Sequence, residues 1–293
     1  MPQNFLRWRG THAPDNPNLT EKFQCTTSTL PCAAKIEGNE TQVLTVELQR
    51  GQRLRAEAGN LIYMTEGVVM DTSTGGGVGK ALSRVITGQS VMVTDFFLEP
   101  TSRRTSSGHD SRVGQVCLGT SMPAKILRLP LADFGGSVVC QRGAFLAGSD
   151  TIDISTEVTR PMAGLFGGEG FVLQRLSGEG DAFVSACGHV MRRDLKSGEV
   201  LRVTAGSLVC FSSTVDYGVT TAGGLKNIVF GTDGVFLATL TGPGTVYLQG
   251  MPFDRLVRAI GKALPQNASG MPVPPIIIPG MGGGDSGNAP PGT

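Results

Sequence analysis

Apolar and polar residues alternate along this chain in short stretches that glycines interrupt. Gln42-Val43-Leu44-Thr45-Val46-Glu47-Leu48 is one such stretch, and Leu201–Ala205 and Thr245–Gln249 are others. A period of two turns one face of a strand toward a core, and short strands at spacings of about 8–12 residues with glycine turns predict a sandwich or barrel. Helical spacing is scarce. Lys80–Thr87 holds material for two turns. Pro252–Leu264 makes the better case: Phe253, Leu256, Val257, Ile260 and Leu264 form one stripe, with Arg255, Arg258 and Lys262 off it. Pro252 suits a first turn, where its missing N–H is no loss. The pattern divides the chain into an N-terminal extension (1–35), a β domain (36–262) and a tail (263–293) so rich in Pro and Gly that it is read as flexible. Ile276-Ile277-Ile278 is the tail's one apolar spot.

The alternating stretches repeat. Aligning Leu48–Leu61 with Leu195–Leu208 gives seven identities in fourteen positions, among them Gly51/Gly198, Leu54/Leu201, Arg55/Arg202 and Gly59/Gly206. Aligning Phe166–Gly180 with Phe230–Gly244 gives seven in fifteen, including Leu176/Leu240, Gly178/Gly242 and Gly180/Gly244. Each pattern has a third occurrence, at Gly143-Ala144-Phe145 and at Ile86-Thr87-Gly88, and the two patterns alternate along the chain. The expectation is three copies of one β unit, over roughly 36–101, 113–185 and 188–249. Gly178 and Gly242 then read as hairpin turns at positive φ, where valine would strain the backbone.

Gly164-Leu165-Phe166-Gly167-Gly168-Glu169-Gly170-Phe171, continued by Leu173–Gly178, resembles the family named after altered inheritance of mitochondria, the mitochondrial biogenesis family. Gln42–Met64 and Leu240–Gly244 extend the resemblance, which covers about residues 36–260. It implies a fold similar to the tryptophan RNA-binding attenuation protein, whose β units assemble into a ring. One chain would carry three such units, and three chains would close the ring. The family offers no catalytic residues to carry over. Its bacterial members resemble plain cytoplasmic proteins, whereas its fungal members are tied to inner-membrane organisation in mitochondria. A cytoplasmic location is therefore the expectation, with the mitochondrion as the alternative.

Composition narrows the function. With 25 basic and 24 acidic residues the formal net charge is +1, against DNA binding by bulk electrostatics. RNA readers need stacking aromatics on a basic track, and only 6% of residues are aromatic, so RNA binding is a minor alternative. No apolar run of about 18 residues is present to cross a membrane, and Met1–Gly10 lacks the apolar centre of a secretory signal. The six cysteines (25, 32, 117, 140, 187 and 210) form no Cys-x-x-Cys pair, and Cys140, Cys187 and Cys210 read as buried small hydrophobes.

Candidate chemistry dissolves on inspection. Gly75-Gly76-Gly77-Val78-Gly79-Lys80 lacks the Gly at Thr74 and the Ser or Thr at Ala81 that a phosphate loop requires. His109-Asp110 sits in a polar stretch without preset geometry, His189 reads as structural, and Glu169 and Asp233 occupy equivalent turns of different units. A metal enzyme on a cupin-like shell would need a His/Glu cluster, and three His at unrelated repeat positions do not supply one. The expectation is therefore an all-β protein of three repeats, double-stranded β-helix-like or sandwich, with a C-terminal amphipathic helix. It is expected to be non-enzymatic, without catalytic residues, cofactor or metal. It is expected to be a homo-oligomeric scaffold or binding protein, with a trimer favoured. Binding of a small ligand or anion by Gly-rich turns at subunit junctions is the alternative. Contact of residues 252–264 with a membrane surface is the partner reading of the helix.

Overall fold

The computed structural model describes residues 21–24, 33–73, 92–98, 113–157, 172–221 and 236–263. Strands β1 (Glu21–Gln24) and β2 (Ala33–Glu37) come first and pair antiparallel. β1 lies inside the stretch read above as an extension. Next come β3 (Val43–Gln49), β4 (Arg53–Glu57), β5 (Leu61–Met64), β6 (Val68–Ser73), β7 (Val93–Leu98) and β8 (Val113–Gly119). They are followed by β9 (Ala124–Pro130), β10 (Ser137–Gln141), β11 (Phe145–Ser149), β12 (Asp153–Glu157), β13 (Leu173–Ser177) and β14 (Asp181–Cys187). The last are β15 (Val190–Leu195), β16 (Val200–Thr204), β17 (Leu208–Ser212), β18 (Asp216–Thr221), β19 (Phe236–Thr241) and β20 (Gly244–Gln249). Helix α1 (Phe253–Ala263) ends the described chain.

All ladders are antiparallel. β3 pairs with β8, β9 with β14 and β15 with β20. β4 pairs with β7, β10 with β13 and β16 with β19. β7, β13 and β19 take β6, β12 and β18 on their other sides. β8, β14 and β20 likewise take β5, β11 and β17. Two further ladders, β4 with β11 and β10 with β17, join these sets into six-stranded sheets of order β6-β7-β4-β11-β14-β9 and β12-β13-β10-β17-β20-β15. A five-stranded sheet β1-β2-β3-β8-β5 and a three-stranded sheet β16-β19-β18 complete the described residues.

Side-chain alternation sets the faces. In β3, Leu44, Val46 and Leu48 are fully buried while their neighbours are partly or fully exposed. β11 and β17 are instead buried at every position, which is why Phe145-Leu146-Ala147 and Leu208-Val209-Cys210-Phe211 read as apolar runs without alternation. Both strands carry a register shift, skipping Leu146 in β11 and Val209 in β17, and β5 carries the same shift at Ile62. The core falls into three clusters, centred on Leu44, Leu54 and Phe96, on Val138, Phe145 and Leu176, and on Leu208, Leu240 and Val246.

One glycine departs from expectation. Gly178 has φ +137°, as the hairpin reading requires, but Gly242 is not among the positive-φ glycines. Close packing demands glycine there: a Cβ would fall on the Lys196 carbonyl oxygen and lie 2.6 Å from the Leu195 Cβ.

In α1, the N–H groups of Arg255 and Leu256 donate to the Pro252 carbonyl, so Pro252 precedes the helix as its anchor. Phe253, Val257 and Ile260 of the apolar stripe are exposed. The expected helix at Lys80–Thr87 and the segments 1–20 and 264–293 lie outside the described residues.

Candidate functional site

Several charged groups of the β domain are placed by strand register so that they pair across neighbouring strands. Arg55 and Asp95 face each other across β4 and β7. Arg55 Nε donates to Asp95 Oδ1 at 2.9 Å and Nη2 to Oδ2 at 3.0 Å, a two-pronged contact with little exposure on either side. The remaining Arg55 Nη1 donates to the Ile152 carbonyl at 3.2 Å, reaching across the β4–β11 ladder. The bond to Asp95 raises the Arg55 pKa above its ordinary value, outweighing the opposing effect of burial. Arg128 Nε holds Asp181 Oδ2 at 2.8 Å between β9 and β14. Elsewhere on β4, the Arg53 guanidinium lies 4.4 Å from the centre of the ring of Phe97, the residue opposite it on β7.

Arg175 on β13 grips Glu157 on β12 through Nε at 2.8 Å and Nη2 at 3.0 Å. That bond holds the Glu157 carboxyl below its ordinary value of 4.5. A carboxyl with a lowered folded pKa contributes stability above its unfolded pKa, and that contribution disappears as pH falls through the lowered value. Glu157→Gln is therefore expected to flatten the loss of melting temperature between about pH 5 and about pH 3, measured against the parent chain in parallel melts. An equal slope in both proteins would show that the pair contributes nothing. Glu57 shifts the other way, raised by burial although Asn60 and Arg142 partly oppose it.

Of the residues singled out from the sequence, the structure brings one pair together. Cys140 and Cys210 are buried and stand opposite each other across the β10–β17 ladder. Burial pushes the Cys140 thiol up to about 12 and raises that of Cys210 as well, so both stay protonated and unreactive. Cys187 is only half-buried, a departure from the expected core position, and Cys117 is buried. His189 is exposed in the turn between β14 and β15. The Gly75–Lys80 stretch, His109-Asp110, Glu169, Asp233, Cys25 and Cys32 lie outside the described residues. Among the described residues no three His, Cys, Asp or Glu side chains gather to hold a metal, and no helix is long and apolar enough to cross a membrane.

Open sheet edges that invite pairing are what short β units predict; which strands carry them is what the sequence did not locate, and two of the edge strands are notable. β5 ends the five-stranded sheet and β16 ends the three-stranded one. On β5, Ile62 is 55% exposed, Tyr63 45% and Met64 40%. The corresponding positions of β11 and β17, counted from the register shift, are buried: Leu146, Ala147 and Gly148, and Val209, Cys210 and Phe211. Val200 at the start of β16 is 53% exposed. The signal was available in the text. Ile62-Tyr63-Met64 aligns with core residues of the other stretches, and Arg202 aligns with Arg55.

Comparison with known proteins places this geometry. An uncharacterised protein of Streptococcus pyogenes serotype M6 is 23% identical over 235 residues, which span 78% of this chain and 88% of the relative. A crystal structure of the Streptococcus pyogenes protein SPYM3_0169 superposes with a TM-score of 0.63 at 20% identity, covering 79% of this chain and 99% of that one. That likeness establishes a shared fold. Residues 34–251 match the family model described as mitochondrial biogenesis AIM24, and with most of the chain so matched, the protein belongs to that family.

Proposed function

We propose that this protein is a non-enzymatic, homo-oligomeric scaffold built from three copies of one six-stranded unit, β3–β8, β9–β14 and β15–β20. The recurrence of the ladders supports the threefold reading. In each run of six strands the first pairs with the sixth, the second with the fifth, the fourth with the fifth and the third with the sixth. On this division β8 closes the first unit, so the first boundary falls after Gly119 and not before Val113. The carrying observation is what the ladders leave over. The second strand of one unit pairs with the third strand of the next at both internal boundaries, β4 with β11 and β10 with β17. That leaves β16, a second strand, and β5, a third strand, without the cross-unit ladder that their counterparts make.

Unpaired edges promote association with another chain, and head-to-tail contacts of this kind close into rings when the rotation permits. The trimer remains the favoured state. The charged pairs described above are engaged across strands, which suits a structural role better than chemistry on a substrate. The compartment is part of the same proposal: cytoplasmic, with the mitochondrion as the alternative that the family's description raises. The test is native mass by light scattering on the purified chain. A mass of three chains, stable to dilution, is the expected result. A single-chain mass at all concentrations would remove the scaffold reading and favour a monomeric ligand-binding domain.

A further inference from the structure

We infer that the surface joining one copy to the next is an antiparallel ladder between β16 of one chain and β5 of its neighbour. In this ladder Leu201 faces Thr65, Arg202 faces Met64 and Val203 faces Tyr63. The inference rests on the homo-oligomer reading above and names its contact surface. The register is fixed by the two internal boundaries. At the first, Leu54, Arg55 and Ala56 face Ser149, Gly148 and Ala147. At the second, Val138, Val139 and Cys140 face Ser212, Phe211 and Cys210. Leu201, Arg202 and Val203 hold the same places on β16, because they face Leu240, Thr239 and Ala238 as Leu54, Arg55 and Ala56 face Phe96, Asp95 and Thr94. On β5 the skipped residue Ile62 sets the count, making Tyr63 the counterpart of Ala147 and Cys210.

Three observations select a second copy of this chain as the occupant. First, no ladder joins β5 to β16 within the chain, and the two sheets they end, β5-β8-β3 and β18-β19-β16, are the two halves of the composite six-stranded sheet seen at both internal boundaries. Second, the residues the ladder would cover on β5 are apolar and exposed here, whereas their counterparts at both internal boundaries are buried. Third, the polar groups correspond. Arg55 crosses its boundary to the Ile152 carbonyl, in a turn where the Ile152 N–H donates to the Ser149 carbonyl. The same turn recurs in the first unit, with the Val68 N–H on the Thr65 carbonyl. Arg202 of one copy would thus reach the Val68 carbonyl of the next. Thr239, which faces Arg202 where Asp95 faces Arg55, has a buried hydroxyl without a hydrogen-bond partner in the isolated chain.

The test uses two full-length variants, Met64→Cys and Arg202→Cys, co-expressed with different tags and treated with the short thiol cross-linker dibromobimane. Linked peptides are then mapped by mass spectrometry, which separates the new link from any through native cysteines. The expected result is a 64–202 link between differently tagged chains, which is lost when Tyr63→Cys replaces Met64→Cys and shifts the register by one. As a second readout, Met64→Asp in the otherwise native chain is expected to drop the native mass to one chain while leaving the melting temperature of the β domain within a few degrees. If the mass is that of an oligomer but no 64–202 link forms, or Met64→Asp leaves the mass unchanged, this surface is wrong and the oligomer reading stands. A chain carrying both Met64→Cys and Arg202→Cys serves as the control, and a 64–202 link formed there only within single chains also overturns it. A single-chain mass for the native protein overturns both.

Discussion

Arg55→Met is expected to lower the stability of the β domain by about 3 kcal/mol, or roughly 6–12 °C in melting temperature for a domain of this size. The substitution keeps the length of the aliphatic stem, so the lost packing is small. What it removes is the partner of a carboxylate that the fold has largely withdrawn from water: the Asp95 side chain is 13% exposed and has both oxygens bonded by Arg55. An unpaired buried carboxylate either remains charged at high cost or takes up a proton. The lower end of the usual range for breaking a buried pair applies because the Arg55 side chain is still 23% exposed. Arg55→Met also removes the bond to the Ile152 carbonyl, so the β4–β11 ladder should loosen along with β4–β7. The double variant Arg55→Met with Asp95→Leu distinguishes the explanations. Replacing both partners with apolar groups leaves no stranded charge, and most of the loss should be recovered. Additive losses in the double variant would mean that the arginine acts through its packing alone.

The second large effect is expected at two glycines that align with each other in the sequence and need glycine for different reasons. Gly178→Val and Gly242→Val should each destabilise by about 3 kcal/mol or more. At Gly178 the backbone stands at φ +137°, where a side chain is strained whatever space it has, and a Cβ would also meet the Thr151 carbonyl oxygen at 2.5 Å. At Gly242 there is no such backbone demand. The obstacle is the Lys196 carbonyl and the Leu195 backbone and Cβ, and neither backbone can yield without breaking the contact between Gly242 and the β15–β16 turn. That turn is held by the Gly198 N–H on the Gly242 carbonyl and by the Gly242 N–H on the Glu199 carbonyl. Because the collision begins at Cβ, Gly242→Ala should already reproduce most of the loss. A full melting temperature for Gly242→Ala would rule out the packing explanation.

These two cases show what the text of the chain could and could not reveal. Alternation in Gln42–Leu48 located β3 because a strand with one face inward writes its burial into every second residue. The stripe in Pro252–Leu264 located α1 by its helical spacing alone, since Phe253, Val257 and Ile260 on it are exposed. The equivalence of Gly178 and Gly242 was equally visible, yet identity at aligned positions records only that glycine is tolerated there. Distinguishing φ from crowding needs the neighbours, and the Leu195 and Lys196 that crowd Gly242 are more than forty positions away in the chain. Pairing was hidden for the same reason. Nothing near Arg55 announces Asp95, forty residues on, and nothing near β4 announces β11. The open edges of β5 and β16 emerge only once the ladders β4–β11 and β10–β17 are known, since they stand out by lacking the equivalent ladder. The chemistry-bearing text was weak from the outset, and much of it lies outside the described residues.

The skipped residue in β5 also bears on how the chain avoids aggregation. A straight, exposed, apolar strand edge is a template onto which almost any extended segment can stack, as in amyloid. β5 exposes Ile62, Tyr63 and Met64, but the shift at Ile62 interrupts its register, and a shift of this kind bends and twists the strand that carries it. A flat intruder would lose its hydrogen bonds at the bend, whereas a strand shaped like β4 or β10, which already pairs past such a bend at β11 or β17, would not. In the proposed assembly, one skipped residue would thus make this edge selective, admitting strands that match its kink and excluding straight ones.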